Sequence, residues 1–294
     1  MFMVLRWIIG LLLFFSPFLS FGQQDSSALC LSGADSSLYR LTNEVAWLSV
    51  GHHHNYDDYL SQLLYQGTKV AAGFYQSRFY SPTFRRISKY DGLEFHFADD
   101  KNPSENYTLW FFDLRGYYGA HYHFYPFRNF SLQPGAFSNI DLGAKYIPHN
   151  TNNPVNVIGS ANMWASLIAT YKFSLGNYPI FLREHFSMAF FGCMFSPEYS
   201  QLYYDIASIN GYDGNLYATS FSDYFRFRNE FSADFRIAAL ATVRLGVVAE
   251  RLKYSVGNLN GRNLDVSFQI GIVRNFYTFK GNKHIPSNFI NPLE

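Results

Sequence analysis

The stretch 220–236, SFSDYFRFRNEFSADFR, decides the architecture. Its even positions read Ser220, Ser222, Tyr224, Arg226, Arg228, Glu230, Ser232, Asp234 and Arg236. Its odd positions read Phe221, Asp223, Phe225, Phe227, Asn229, Phe231, Ala233 and Phe235. Successive side chains of a strand point to opposite faces, so one face is charged and the other is mostly phenylalanine. A soluble strand usually runs about 5–6 residues. A strand that crosses a bilayer needs about 9–11, apolar towards lipid and polar towards the lumen. Alternation this long fits the second case.

The pattern recurs. In 264–276, Leu264, Val266, Phe268, Ile270, Ile272 and Phe276 face one way, and Asp265, Ser267, Gln269, Gly271 and Asn275 the other. In 160–173, Met163, Ala165, Leu167 and Phe173 oppose Ser160, Asn162, Ser166 and Lys172. In 108–125, Asp113, Arg115, His121 and His123 share one face, and Trp110, Phe112, Leu114, Tyr118 and Tyr122 the other. Ten strands are predicted, within a range of 8 to 12, at 37–51, 67–81, 85–98, 107–125, 130–146, 157–174, 179–192, 217–236, 240–254 and 263–279. The segments 67–81 and 85–98 alternate least well. Between the strands, short connections at 82–84, 126–129, 175–178 and 237–239 alternate with long ones at 52–66, 99–106, 147–156, 193–216 and 255–262. Short periplasmic turns and long outer loops are the habit of outer-membrane barrels. The expected fold is therefore all-β, a membrane-spanning antiparallel up-and-down barrel over 37–279.

Composition points the same way. Aromatic residues make up 20% of the chain, with 31 Phe and 23 Tyr, yet no amphipathic helix and no second long apolar run follow residue 30. Without a spanning helix, a closed barrel is the remaining way to satisfy backbone amides in lipid. The first 22 residues read as a signal peptide: Arg6, then an apolar run from Trp7 to Phe21, then small residues at Ser20 and Gly22. Residues 23–36 would form a short periplasmic segment and 280–294 a C-terminal tail. The expected location is the bacterial outer membrane. Removing 1–22 leaves 22 basic residues against 22 acidic ones, a balance that excludes a nucleic-acid binder's basic stripe. Two cysteines, Cys30 and Cys193, make no disulfide framework.

Four segments resemble a known family. Asp57, Asp58, Tyr59, Leu60 and Ser61, followed by Tyr65 and Gly67, resemble the DTYLSP…Y.G signature of a Bacteroidota outer-membrane barrel family of unknown function. Asn150, Thr151, Asn152, Asn153 and Pro154 resemble its NSNNP segment. Phe195, Ser196, Pro197, Glu198 and Tyr199, then Tyr203, Tyr204, Asp205 and Ile206, resemble its FSPxYGxSYYEIF segment. Val256, Gly257, Asn258 and Leu259 resemble the stretch before its last strand. Gln62 stands where that family has Pro, and Ser200 where it has Gly. The resemblance implies an outer-membrane barrel with these residues on its outer rim, and no activity.

The candidate chemistry is sparse. The alternation places Arg40, Arg78, Arg115, Lys145, Lys172, Arg183, Arg226, Arg228 and Arg244 in the lumen, with Glu44, Asp113, Asp141, Glu230, Asp234 and Glu250. Small barrels fill their interiors with side chains, so a salt-bridged plug is expected ahead of a cation-biased channel. His185 and Ser187 share a strand face, with Glu198 further on, a spacing similar to the His-x-Ser and later Glu of outer-membrane lipid A deacylases. Phe186 and Met188 compete for the lipid face, however, which turns His185 and Ser187 inward. His52, His53 and His54 lie near Asp57 and Asp58; His52, His54 and Asp57 are the candidate metal ligands. Rim Asp and His residues also serve outer-membrane proteases. The expected function is non-enzymatic: a structural or accessory barrel, or a narrow conduit, with a lipid A deacylase-like hydrolase or rim protease as the alternative. No cofactor, metal or nucleic acid is expected. Outer-membrane lipid and lipopolysaccharide are the expected partners.

Overall fold

A computed structural model describes residues 41–80, 86–127, 129–151, 153–175, 178–199, 201–206, 213–238 and 241–277. The signal peptide, the 23–36 segment, the 280–294 tail, Arg40 and Asn152 lie outside the described residues. Twelve strand segments follow one another: β1 (Leu41–Asp57), β2 (Ser61–Phe79), β3 (Ile87–Lys101), β4 (Thr108–Tyr122), β5 (Phe124–Phe127), β6 (Phe130–Tyr146), β7 (Val155–Leu175), β8 (Tyr178–Phe195), β9 (Leu216–Ser220), β10 (Tyr224–Ala238), β11 (Ala241–Val256) and β12 (Leu259–Tyr277).

Every pairing is antiparallel. β12 pairs with β1, and β10 pairs back onto β8, so the sheet closes. β4 and β5 both lie along β6, and β9 and β10 both lie along β8. The twelve segments thus make ten staves, at the ten places the alternation predicts. The fold is an all-β, closed, ten-stranded antiparallel barrel.

Its polarity is inverted relative to a soluble protein. Lys145 and Arg244, inside, are essentially inaccessible, while Leu48, Phe268 and Ile270, outside, expose more than half their surface. The middle of the lumen holds an aromatic cluster that includes Trp47, Tyr75, Tyr90, Tyr117, Phe137, Trp164, Tyr224 and Tyr254. The guanidinium of Arg226 lies 5.3 Å from the Trp164 ring and that of Arg228 lies 5.8 Å from Trp47. Cations over indole faces let charge and aromatic packing share one narrow interior.

Four expectations change. First, the strands run further at the end opposite the termini, so the predicted long loops 52–66 and 255–262 are mostly strand. Beyond Val50 the outward residues become His52, His54 and Tyr56, which ends the apolar outward pattern. The inward alternation continues unbroken through His53, Asn55 and Asp57, all buried. At 257–258 the chain turns in two residues, with φ of 60° at Gly257 and 62° at Asn258. Both angles lie in the left-handed region that a two-residue hairpin turn demands and that Gly-Asn supplies. Loop lengths consequently do not alternate as expected.

Second, Glu44 and Arg78 face outward, one residue out of the predicted register. Val45 and Trp47 take the lumen on β1, and Tyr75, Ser77 and Phe79 take it on β2. A one-residue slip exchanges faces for a whole strand. Lys172, with inward parity, sits exposed at the terminal end with its Nζ 5.1 Å from the Phe181 ring. Third, the stretch 220–236 is not one strand. Ser220 Oγ bonds Asp223 Oδ2 at 2.9 Å, and Asp223 N–H bonds Ser220 O at 3.1 Å, making a turn between β9 and β10. β8 answers with a register shift against Met163 and Trp164, where Phe190 and Phe191 both face outward. Such a bulge reverses which parity points inward.

Fourth, the cation bias disappears. Among the described residues the buried cations are Lys69, Arg115, Lys145, Arg183, Arg226 and Arg244, with Arg228 nearly so. The buried acids Asp57, Glu94, Asp100, Asp113, Asp141, Glu230, Asp234, Glu250 and Asp265 outnumber them. Asp265 falls on the inward set of 264–276, whereas Lys69, Glu94 and Asp100 were hidden because β2 and β3 alternate poorly on their outer faces, where Thr68, Gln76, Asp91 and Asp99 interrupt the apolar series.

Candidate functional site

Two buried polar assemblies occupy the lumen. The central one is built by strands alone. Arg115 Nε meets Asp113 at 2.6 Å and Asp141 at 3.3 Å, and its Nη1 meets Glu250 at 2.7 Å. Arg226 meets the same Asp141 and the same Glu250, each at 2.8 Å. Two guanidiniums and two shared carboxylates thus bridge β4, β6, β10 and β11. Towards the terminal end, Arg244 grips Asp234 through both forks, at 2.6 and 2.7 Å. Arg228 holds Glu94 at 2.6 Å, and His96 meets the same carboxylate at 3.1 Å.

The second assembly lies at the far end, and its hub is Asp57. Its carboxylate accepts bonds from Lys145 Nζ at 2.9 Å, Asn156 Nδ2 at 3.0 and 3.1 Å, Tyr254 OH at 3.2 Å and the Tyr59 backbone N–H at 3.1 Å. The last bond is an Asx turn, which folds the chain back from β1 into β2. Leu60 then tucks into a small apolar cluster with Tyr65, Ala98, Leu109, Phe111 and Ile147. Tyr59 OH donates to Gln201 O at 2.7 Å. Burial, then the Asp57 charge, pushes the Tyr59 phenol up to about 12, so it remains a donor at neutral pH. Tyr203 OH donates to Asn156 Oδ1 at 2.9 Å and accepts from Val157 N–H at 2.7 Å. Asn150 Nδ2 donates to Leu60 O at 3.0 Å. Ile147 N–H bonds Pro154 O at 2.9 Å, and Asn153 between them adopts φ 53°, a conformation Asn tolerates.

Segments far apart in sequence therefore meet in one cap around one carboxylate. Ser196 joins through Asn215, whose side chain reaches both Ser196 O and Gln201 Oε1, at 3.1 and 2.7 Å. Ser61 only caps its own turn, accepting from Leu63 N–H at 3.2 Å. Pro197 O accepts from Ser196 Oγ, and Tyr199 and Tyr204 are exposed. Gly67 has a separate task. It sits in register between His53 on β1 and Asp100 on β3. A Cβ there would overlap the backbone at Asp99, and its absence lets His53 Nδ1 reach Asp100 Oδ2 across the gap at 2.8 Å. The alternation did not single out His53, Lys145, Asn156 or Tyr254 as a group. Their inward parity was the available signal.

The other candidates do not assemble. His52 and His54 face outward with their rings 4.6 Å apart, on the opposite face of β1 from Asp57. Among the described residues no group of three His, Cys, Asp or Glu is placed to hold a metal ion. His185 and Ser187 do point inward, but they are not bonded to each other. Ser187 Oγ lies 3.5 Å from Arg228 O, Glu198 is exposed beyond Pro197, and His185 Nε2 meets Ser166 Oγ at 2.9 Å. Ser166 also meets His121 Nε2 at 2.8 Å. One hydroxyl proton can serve one imidazole; the other imidazole must donate, so the two rings carry opposite tautomers. Among the described residues no carboxylate is hydrogen-bonded to either ring of this chain.

A family model described as "Protein of unknown function (DUF3316)" matches residues 9–283. The chain belongs to this family. No curated protein matches the chain. Among solved structures, the outer membrane protease OmpT from Escherichia coli is similar over 81% of this chain and 97% of its own, at 8% identity and a TM-score of 0.44. The beta domain of the Bordetella autotransporter BrkA covers 79% and 99%, at 13% identity and a TM-score of 0.40. The translocator domain of the autotransporter NalP from Neisseria meningitidis covers 84% and 91%, at 8% identity and a TM-score of 0.41. For this DUF3316 chain, closure of the barrel rests on its own hydrogen-bond register.

Proposed function

We propose that this chain resides in the outer membrane of a bacterium of the Bacteroidota, reaches it through a cleaved signal peptide at 1–22, and serves there as a plugged structural or accessory barrel. The filled lumen carries this reading. The cavity between Arg115, Asp141, Lys145, Arg226 and Glu250 holds about 30 Å³. Those beside Arg183 and beside Arg228 hold about 10 and 30 Å³. A single water needs roughly 10–15 Å³, so these spaces suit isolated waters. The apolar exterior supports residence in lipid, and the four motif segments support the bacterial group. The unassembled His185, Ser187 and Glu198 give the hydrolase alternative no support.

The test is electrical. Purified protein reconstituted into planar bilayers, after its heat-modifiable gel shift has verified folding, is expected to give no stepwise conductance. Reproducible single-channel steps from the unaltered protein would overturn the plugged reading in favour of a conduit.

A further inference from the structure

We propose that the outer surface of β11, β12 and β1, just beyond the apolar belt at the far end, binds the phosphate group of a phosphorylated membrane lipid. This rests on the membrane reading above. Arg251 and Lys253 on β11 and Arg262 on β12 are exposed. In register, Arg251 lies opposite Leu264, which lies opposite His54, and Lys253 lies opposite Arg262, which lies opposite Tyr56. The three cations thus gather on two adjacent strands, about 5 Å apart, with His54 and Tyr56 of β1 flanking them. Between them runs a groove of about 480 Å³ lined also by His54, Leu64 and Leu264.

These cations contrast with those inside. Each guanidinium of the central assembly has a carboxylate, whereas among the described residues Arg251, Lys253 and Arg262 have none. Asp58, the near acid, is engaged by Tyr56 OH and by Asn260. Arg262 lies over the Tyr56 ring, 5.0 Å away. Unneutralised cations gathered at one place suit a ligand that brings its own negative charge.

The lipid character follows from position. Two residues towards the termini the same face reads Ala249, Val266 and His52, and two further it reads Val247, Phe268 and Val50. The cations therefore stand roughly 7 Å from aliphatic surface. A phosphate seated on Arg251, Lys253 and Arg262 would let acyl chains descend over Val266 and Phe268. A free phosphate would use the cations and leave the belt unused.

The experiment compares the protein with the triple variant Arg251→Gln, Lys253→Gln, Arg262→Gln, all exposed positions. Both are inserted into phosphatidylcholine vesicles and checked by gel heat shift. Both are then titrated in detergent with diphosphorylated lipid A, with dephosphorylated lipid A and with inorganic phosphate, read by native mass spectrometry. Salt-sensitive retention of diphosphorylated lipid A by the unaltered protein, weakened on the order of tenfold or more in the variant, is expected. Equal retention by the variant, or equal retention of the dephosphorylated lipid, would overturn the phosphate site. Competition by inorganic phosphate at the lipid's own concentration would overturn its lipid character. Failure of both proteins to insert into vesicles would overturn the membrane reading itself, and this proposal with it.

Discussion

The centre of the lumen and its far end are both buried and both polar, yet they are assembled from different parts of the chain. At the centre, Arg115, Arg226, Asp141 and Glu250 all come from strands, and each charge is answered by another charge. At the far end one carboxylate, Asp57, is answered by a single cation and otherwise by an amide, a phenol and a backbone N–H. Its direct partners Lys145, Asn156 and Tyr254 come from strands, and through Asn156 and the Tyr59 turn it also holds Tyr203 and Gln201 of the 196–215 connection. The difference teaches what each assembly holds. The central one ties staves to one another across the lumen, so its loss is a loss of the barrel. The far one ties loops to a barrel already formed, so its loss uncovers an end.

That division can be broken at its strongest point. Glu250→Ala leaves both Arg115 and Arg226 short of a shared acceptor in a buried site. Breaking a buried pair costs about 3–5 kcal/mol. Urea unfolding in detergent, followed by tryptophan fluorescence, is expected to show a loss of that size. A loss below 1 kcal/mol would mean the centre is as dispensable as the rim.

Tyr203→Phe sharpens the other side. It removes the donor to Asn156 and the acceptor for Val157 N–H, a change of about 1–3 kcal/mol that should stay local. Limited proteolysis is expected to cut the 196–215 connection faster, with the barrel's gel shift unaltered. Protection as strong as in the unaltered protein would detach Tyr203 from the cap. The smallest effect is expected at the two-residue hairpin. Gly257→Ala places a Cβ at positive φ and should cost about 1–2 kcal/mol. Melting temperature measures it; no change would mean that the turn relaxes to another type.

The ten staves were legible because phenylalanine and leucine on the outside and charge on the inside mark parity plainly in β7, β10 and β12. The fold needed no more than that. The far ends of β1 and β12 were not legible by the same rule. His52, His54, Tyr56 and Arg262 face outward there, in a zone where polar groups are tolerated, so the hydrophobic half of the pattern stops while the strand continues. The cap was half legible. The motif resemblance gathered Asp57, Tyr59, Asn150 and Tyr203 at one rim, but nothing in their spacing says that they share a carboxylate. Partners such as Lys145 and Tyr254 come from strands at remote positions, and only closure of the sheet brings them to Asp57.

The seam of that closure has a consequence for biogenesis. β1 pairs with β12 along its whole length, from Leu41 with Tyr277 to Asp57 with Gly261. The first stave made is therefore completed only by the last. Until residues 259–277 have emerged, β1 and β11 both present unsatisfied edges, the kind of surface that recruits other chains. Such long-range pairing is also the slowest to form, because its loop-closure entropy must be met before any contact rewards it. A chain ending at 256 would keep nine staves and most of the central ion pairs, and yet it should aggregate rather than fold.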